Sequence, residues 1–67
     1  MYLDKLKGKL REKKVTYLEI ANLLNITTTT VSFKMNGISK FYFDEIIALS
    51  NYLELSNEEK IRIFFDK

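Results

Sequence analysis

Residues 16–37 read TYLEIANLLNITTTTVSFKMNG, and the fold turns on where four consecutive threonines fall within them. Thr16-Tyr17-Leu18-Glu19 has the form of a capping box, in which the threonine hydroxyl accepts from the backbone N–H three residues on and the glutamate reaches back. The box starts a helix whose inward stripe is Tyr17, Ile20, Ala21 and Leu24, with the small Ala21 admitting a close neighbour. Asn25 suits the left-handed residue that ends a helix, Ile26 follows as an apolar plug, and Thr27 can cap a second helix. Asn36-Gly37 supplies the exit from that helix.

The phase of the second helix separates its faces. At about 100° per residue with Val31 at zero, Met35 falls near 40°, while Thr29, Ser32, Phe33 and Asn36 cluster between roughly 100° and 200°. Thr28 falls on the flank nearest the helix start. Packing through Val31 and Met35 therefore leaves an outer face that is small, polar and uncharged apart from one large aromatic, Phe33. Surface helices ordinarily carry Glu and Lys in such places, so this face is shaped to meet something.

Outward from this stretch, proline is absent and Gly8 and Gly37 are the two glycines, so boundaries are read from caps and period. A first helix over about residues 2 to 13 sets Leu3, Leu6 and Leu10 on one stripe, with Gly8 inside it as a mark of close backbone approach. A fourth helix, from about Phe43 to Leu53, offers Phe43, Ile46, Ile47, Leu49 and Leu53 to the core. Ser56-Asn57-Glu58-Glu59 is a second capping box and opens a fifth helix. That helix contains IRIFF, in which Ile61, Phe64 and Phe65 can reach the core while Ile63 points elsewhere. The expected fold is all-α: one domain over residues 1 to 67, a compact five-helix bundle.

A chain of 67 residues sits near the lower limit for a single core, and nothing staples it: with no Cys and no His, disulfides and the usual metal sites are excluded. No apolar run approaches a membrane span, and MYLDKLKGKL is too charged for a signal peptide. No nucleophile–base or paired-carboxylate arrangement stands out, so neither an enzyme nor a cofactor is expected. Residues 1–40 carry eight Lys/Arg against three acidic residues, a net +5; residues 41–67 carry three against six, a net −3. A polyanion would be drawn to the N-terminal part, with Lys5, Lys9 and Lys34 as candidate phosphate contacts; a solvated lysine-rich helix is the plain alternative.

Two short helices joined by a tight turn, the second fronted by hydroxyl and amide side chains, describe a helix-turn-helix whose second member lies in the major groove. The stretch TYLEIANLLNITTTTVSFKMNG resembles the helix-turn-helix of the lambda-repressor-like family, and LKGKL, KMNG and FDEI resemble small Cro-like or repressor-like regulators of phages in Gram-positive bacteria. The resemblance runs over roughly residues 6 to 55, with Thr16, Ala21, Ile26, Val31, Asn36 and Gly37 at family positions. It implies a transcriptional regulator in the bacterial cytoplasm that occupies a double-stranded DNA operator, with bases read by Thr28, Thr29, Ser32 and Phe33 and phosphates held by Tyr17, Thr27 and Asn36. With no second domain expected, the Cro type is the nearer match.

The sequence also departs from that family. Tyr17 stands where Gln is frequent, Asn25 where Gly is usual, and Lys34 where an apolar residue is frequent. Threonine and phenylalanine cannot make bidentate contacts to guanine or adenine, which directs specificity toward DNA shape. An antirepressor-like module that binds a protein partner, such as a repressor, through Phe33 or the last helix is the second reading. Because one helix-turn-helix reads few base pairs, a homodimer is expected, and the apolar surplus of IRIFF assigns its interface to Ile63 and Phe65.

Overall fold

The computed structural model describes residues 1–65. Five helices follow one another: α1 (Leu3–Lys13), α2 (Tyr17–Leu24), α3 (Thr28–Met35), α4 (Phe43–Tyr52) and α5 (Asn57–Lys60), the last running on into a π-helical turn, Ile61–Phe65. There is no strand among the described residues.

The helix starts follow the caps. Thr16 and Ser56 each accept from the backbone N–H of the glutamate three residues on, and Glu19 and Glu59 each return a carboxylate to the cap N–H. Thr27 caps α3 by accepting from the Thr30 N–H at 3.1 Å. The start of α4 uses half of this device: the Tyr42 N–H donates to Glu45 Oε1 at 2.8 Å.

Three of the helix ends share one grammar. Lys14, Asn25 and Glu54 all adopt left-handed backbone angles, with φ of 56°, 58° and 54°. Each is followed by an apolar residue, Val15, Ile26 or Leu55, whose N–H donates back to a carbonyl five residues earlier. This is the Schellman closure, with the apolar residue folding onto the core as it closes. Gly37, at φ 78°, takes the same left-handed region after α3, where a side chain would be strained.

The core is assembled from Leu6 and Leu10 of α1, Ile20 and Ala21 of α2, Val31 and Met35 of α3, and Ile46, Leu49 and Leu53 at the α4 end of the chain, closed by Phe41, Leu55, Ile63 and Phe64. Phe41 and Phe64 meet edge to face, their ring centroids 6.4 Å apart. Tyr17 and Leu24 are half-buried and pack against this cluster, completing the stripe expected for α2.

Three expectations are corrected. Phe43 and Ile47 are exposed, and the inward side of α4 instead carries Glu45 and Ser50 beside Ile46 and Leu49. Ile63 is core, 4% exposed, whereas Ile61 and Phe65 are 56% and 54% exposed. Helical phase groups Ile63 with Phe64 and Ile61 with Phe65, and it is the Ile63–Phe64 side of this segment, wound as a π-helical turn, that packs into the core. Gly8, finally, marks no close approach, because a Cβ built there meets nothing within 4 Å. Gly8→Ala is therefore expected to stabilise the fold by about 1 kcal/mol, raising Tm by roughly 4–8 °C in a thermal melt. A lowered Tm would show that the glycine is needed.

Candidate nucleic-acid interface

α2 and α3 are joined by the three residues Asn25, Ile26 and Thr27. The outer surface of α3 has the composition its phase implies: Thr28, Thr29 and Asn36 are exposed, Ser32 is half-buried, and Phe33 is 44% exposed. The four threonines divide into two pairs. Thr27 and Thr30 are structural, their hydroxyls 2.9 Å apart and sharing a hydrogen bond. Thr28 and Thr29 are left facing outward.

Asn36 is engaged on both sides of its amide. Its Nδ2 donates to the Ser32 carbonyl at 2.8 Å and lies 3.3 Å from Ser32 Oγ, while its Oδ1 accepts from Lys7 Nζ at 3.1 Å. This last bond ties the end of α3 to α1. From Lys7 a basic stripe continues along α1, because Lys7, Arg11 and Lys14 share one flank of the helix and line, with Tyr17, a groove of about 240 Å³. Neither Arg11 nor Lys14 has an acidic partner among the described residues. Tyr17, half-buried at the first turn of α2, closes the groove.

The lysines singled out from charge alone are elsewhere. Lys5 and Lys9 lie on the opposite flank of α1, in a groove shared with Glu12, Glu59 and Arg62. Lys5 sits with its Nζ 4.5 Å from the centroid of the Tyr2 ring. Lys9 is corrected as a free phosphate contact, since it bridges Glu12 at 3.1 Å and Glu59 of the last helix. That bridge, aided by the Ser56 N–H, pulls the Glu59 carboxyl down to about 2, and it raises the Lys9 ammonium above its usual range. The Tyr52 hydroxyl, 2.7 Å from Glu19, likewise lowers the Glu19 carboxyl, with the Thr16 N–H helping.

The signs give a pH window. Glu59 is depressed when folded, so its contribution is present above the unfolded value of 4.5 and is lost as pH falls toward about 2. Lys9 is raised, so its contribution is full below 10.5 and is lost as pH climbs through the higher folded value. Urea midpoints measured from pH 2 to 7 should fall most steeply below pH 4.5, and Glu59→Gln should flatten that fall. An unchanged slope in the variant would place the acid sensitivity elsewhere.

Lys34 is the larger correction. It is 4% exposed, inside the molecule, and cannot reach a surface-bound phosphate. Its ammonium pairs with Glu45 Oε1 at 2.9 Å, donates to the Lys40 carbonyl at 2.8 Å, and lies 4.5 Å from the Tyr42 ring centroid. Ile63 leaves the candidate interface for the core, while Phe65 stays on the surface beside Ile61. Lys7, Arg11 and Lys14 were missed as a group; their common flank was readable from the spacing i, i+4 and i+7.

Among the described residues no cluster of acidic side chains could hold a metal ion, and no helix is long and apolar enough to cross a membrane. No protein family, curated protein or solved structure gives a match to the chain.

Proposed function

We propose that the chain binds double-stranded DNA through α3 in the major groove and regulates transcription by occupying an operator. The observation that carries this reading is the Lys7–Asn36 hydrogen bond, which makes the uncharged outer face of α3 continuous with the Lys7, Arg11 and Lys14 stripe. An uncharged surface that can enter a groove, bordered by cations that can track a phosphate backbone, suits a duplex. The α2–turn–α3 connection supports the helix-turn-helix interpretation, and the resemblance to small Cro-like regulators points the same way. Thr28, Thr29, Ser32 and Phe33 are the base-facing side chains in this reading, with Tyr17 and the first turn of α2 at the backbone.

The proposed assembly is a two-fold dimer, weak without DNA, joined through the exposed Ile61 and Phe65 on the last helix. A single observation favours a second reading: Phe33 is a large exposed aromatic on an uncharged face, as suits an anchor for a protein partner.

Binding titrations on random duplexes at rising salt test the first reading directly. Lys7→Ala, Arg11→Ala and Lys14→Ala should each weaken binding to all sequences and lower the magnitude of the salt slope by about one, while Lys9→Ala leaves it unchanged. Absence of duplex affinity, or affinity insensitive to salt, would reject DNA binding and leave the protein-partner reading.

A further inference from the structure

We infer that the α3 face selects its duplex by the C5-methyl groups of pyrimidines, which in unmodified DNA means thymine, in place of hydrogen-bond readout. The inference rests on the DNA-binding reading above and specifies the ligand chemistry of the same surface.

The argument is first one of elimination. The Thr27 and Thr30 hydroxyls satisfy each other, and Thr27 Oγ1 also accepts from the Thr30 N–H. The Asn36 amide, the one group near this face able to grip adenine in two places, is taken by the Ser32 carbonyl, Ser32 Oγ and Lys7. Lys34 is interior and paired with Glu45. No arginine, glutamine or free lysine stands on α3 to form a fork with guanine, and the outward Thr28 and Thr29 hydroxyls, each able to donate or accept, do not tell one base edge from another.

What the face does offer is carbon. The outward Thr28 and Thr29 each carry a methyl, and the Phe33 ring stands exposed beyond them. The N–H groups of Ile38 and Ser39 both donate to the Phe33 carbonyl, at 2.9 and 3.2 Å, folding the chain back against the end of the helix. Ile38, 70% exposed, thus extends the apolar surface past Phe33.

Thymine is the base that presents a methyl group in the major groove, whereas guanine and cytosine present acceptors and a donor. Against Phe33 and Ile38 those polar edges would lose water and gain no partner, and the adenine N6 and N7 and the thymine O4 would fare the same, so the thymine methyl is the group whose contact favours A·T over G·C pairs. The flanking Lys7, Arg11 and Lys14 supply the charge complementary to the polyanion, which is why the occupant is a nucleic acid duplex rather than another apolar protein surface.

The test begins with selection of the tightest duplex from a random pool. Each thymine of the selected site is then replaced by uracil, which pairs identically but lacks the methyl, and each cytosine by 5-methylcytosine. Affinity should fall about fourfold for each contacted methyl removed. Methylating a cytosine within the contacted steps should raise affinity, and Phe33→Ala should lose sensitivity to both changes. A duplex selected and bound with ordinary salt dependence whose uracil form binds equally well overturns the methyl inference and leaves DNA binding standing. Failure to bind or select any duplex overturns the DNA-binding reading itself, and this inference with it.

Discussion

Glu45→Ala should cost about 3–5 kcal/mol of folding stability, because it leaves the Lys34 ammonium buried without its counter-charge. A domain of this length is expected to have only about 3–10 kcal/mol in total, so the variant should be partly or wholly unfolded at 37 °C. The size of the effect comes from the charge that remains rather than from the worth of the pair. Lys34 is 4% exposed and its other contacts, the Lys40 carbonyl and the faces of the Phe41 and Tyr42 rings, stabilise a cation without neutralising it. Removing both charges should therefore be far milder than removing one. Lys34→Met combined with Glu45→Gln keeps an acceptor for the Tyr42 N–H and should lie within about 1 kcal/mol of the parent, or above it. Urea denaturation of the single and double variants decides the matter. A loss below about 1 kcal/mol for Glu45→Ala would mean that the lysine reaches water with little rearrangement.

The second large effect separates two neighbouring isoleucines. Ile63→Asp should cost about 4 kcal/mol or more and abolish the fold, since it sets a carboxylate in place of a side chain that is 4% exposed and packed in the core cluster. Ile61→Asp, on the exposed side of the same helix, should leave the circular dichroism spectrum and melting curve nearly unchanged while weakening self-association. Sedimentation with and without a duplex reads the second effect. If Ile61→Asp and Phe65→Asp assemble as well as the parent does, the outer side of the last helix is not the dimer contact. If Ile63→Asp stays folded, the inward winding of this turn is wrong.

Much of this architecture is legible in the residues because it is locally encoded. Thr16 with Glu19 and Ser56 with Glu59 announce two helix starts across three residues, and Asn25 announces an end through its own tolerance of left-handed angles. Lys14 and Glu54 end helices with the same backbone conformation and were not legible, since neither residue type favours it; the closure of Val15 and Leu55 onto the core imposes it from outside. The fate of Lys34 was hidden for a related reason. A lysine at the end of a polar helix reads as solvated, and the partner that draws it inward lies eleven residues away, on the first turn of another helix, with no period connecting the two. Ile63 was misplaced because IRIFF is apolar on more than one side, and period alone does not say which side the rest of the fold covers. At the candidate site, the threonine face and Phe33 followed from phase alone. The choice among the lysines required knowing which flank of α1 lies beside Tyr17 and which beside Glu59.

The π turn also has a bearing on how the chain comes together. The Ile63 carbonyl accepts from the Tyr2 N–H at 2.7 Å, a link between residues sixty-one positions apart. In polymer terms it closes a ring that encloses all five helices. The entropy of closure grows with the logarithm of loop size, so this ring costs only about 1.5 kcal/mol more to form than one of ten residues. It nevertheless brings no return until the elements between its ends have packed. The Tyr2 amide proton should accordingly become protected last during refolding and exchange early in the native state, which makes one amide a gauge of whether the two ends of the chain are latched.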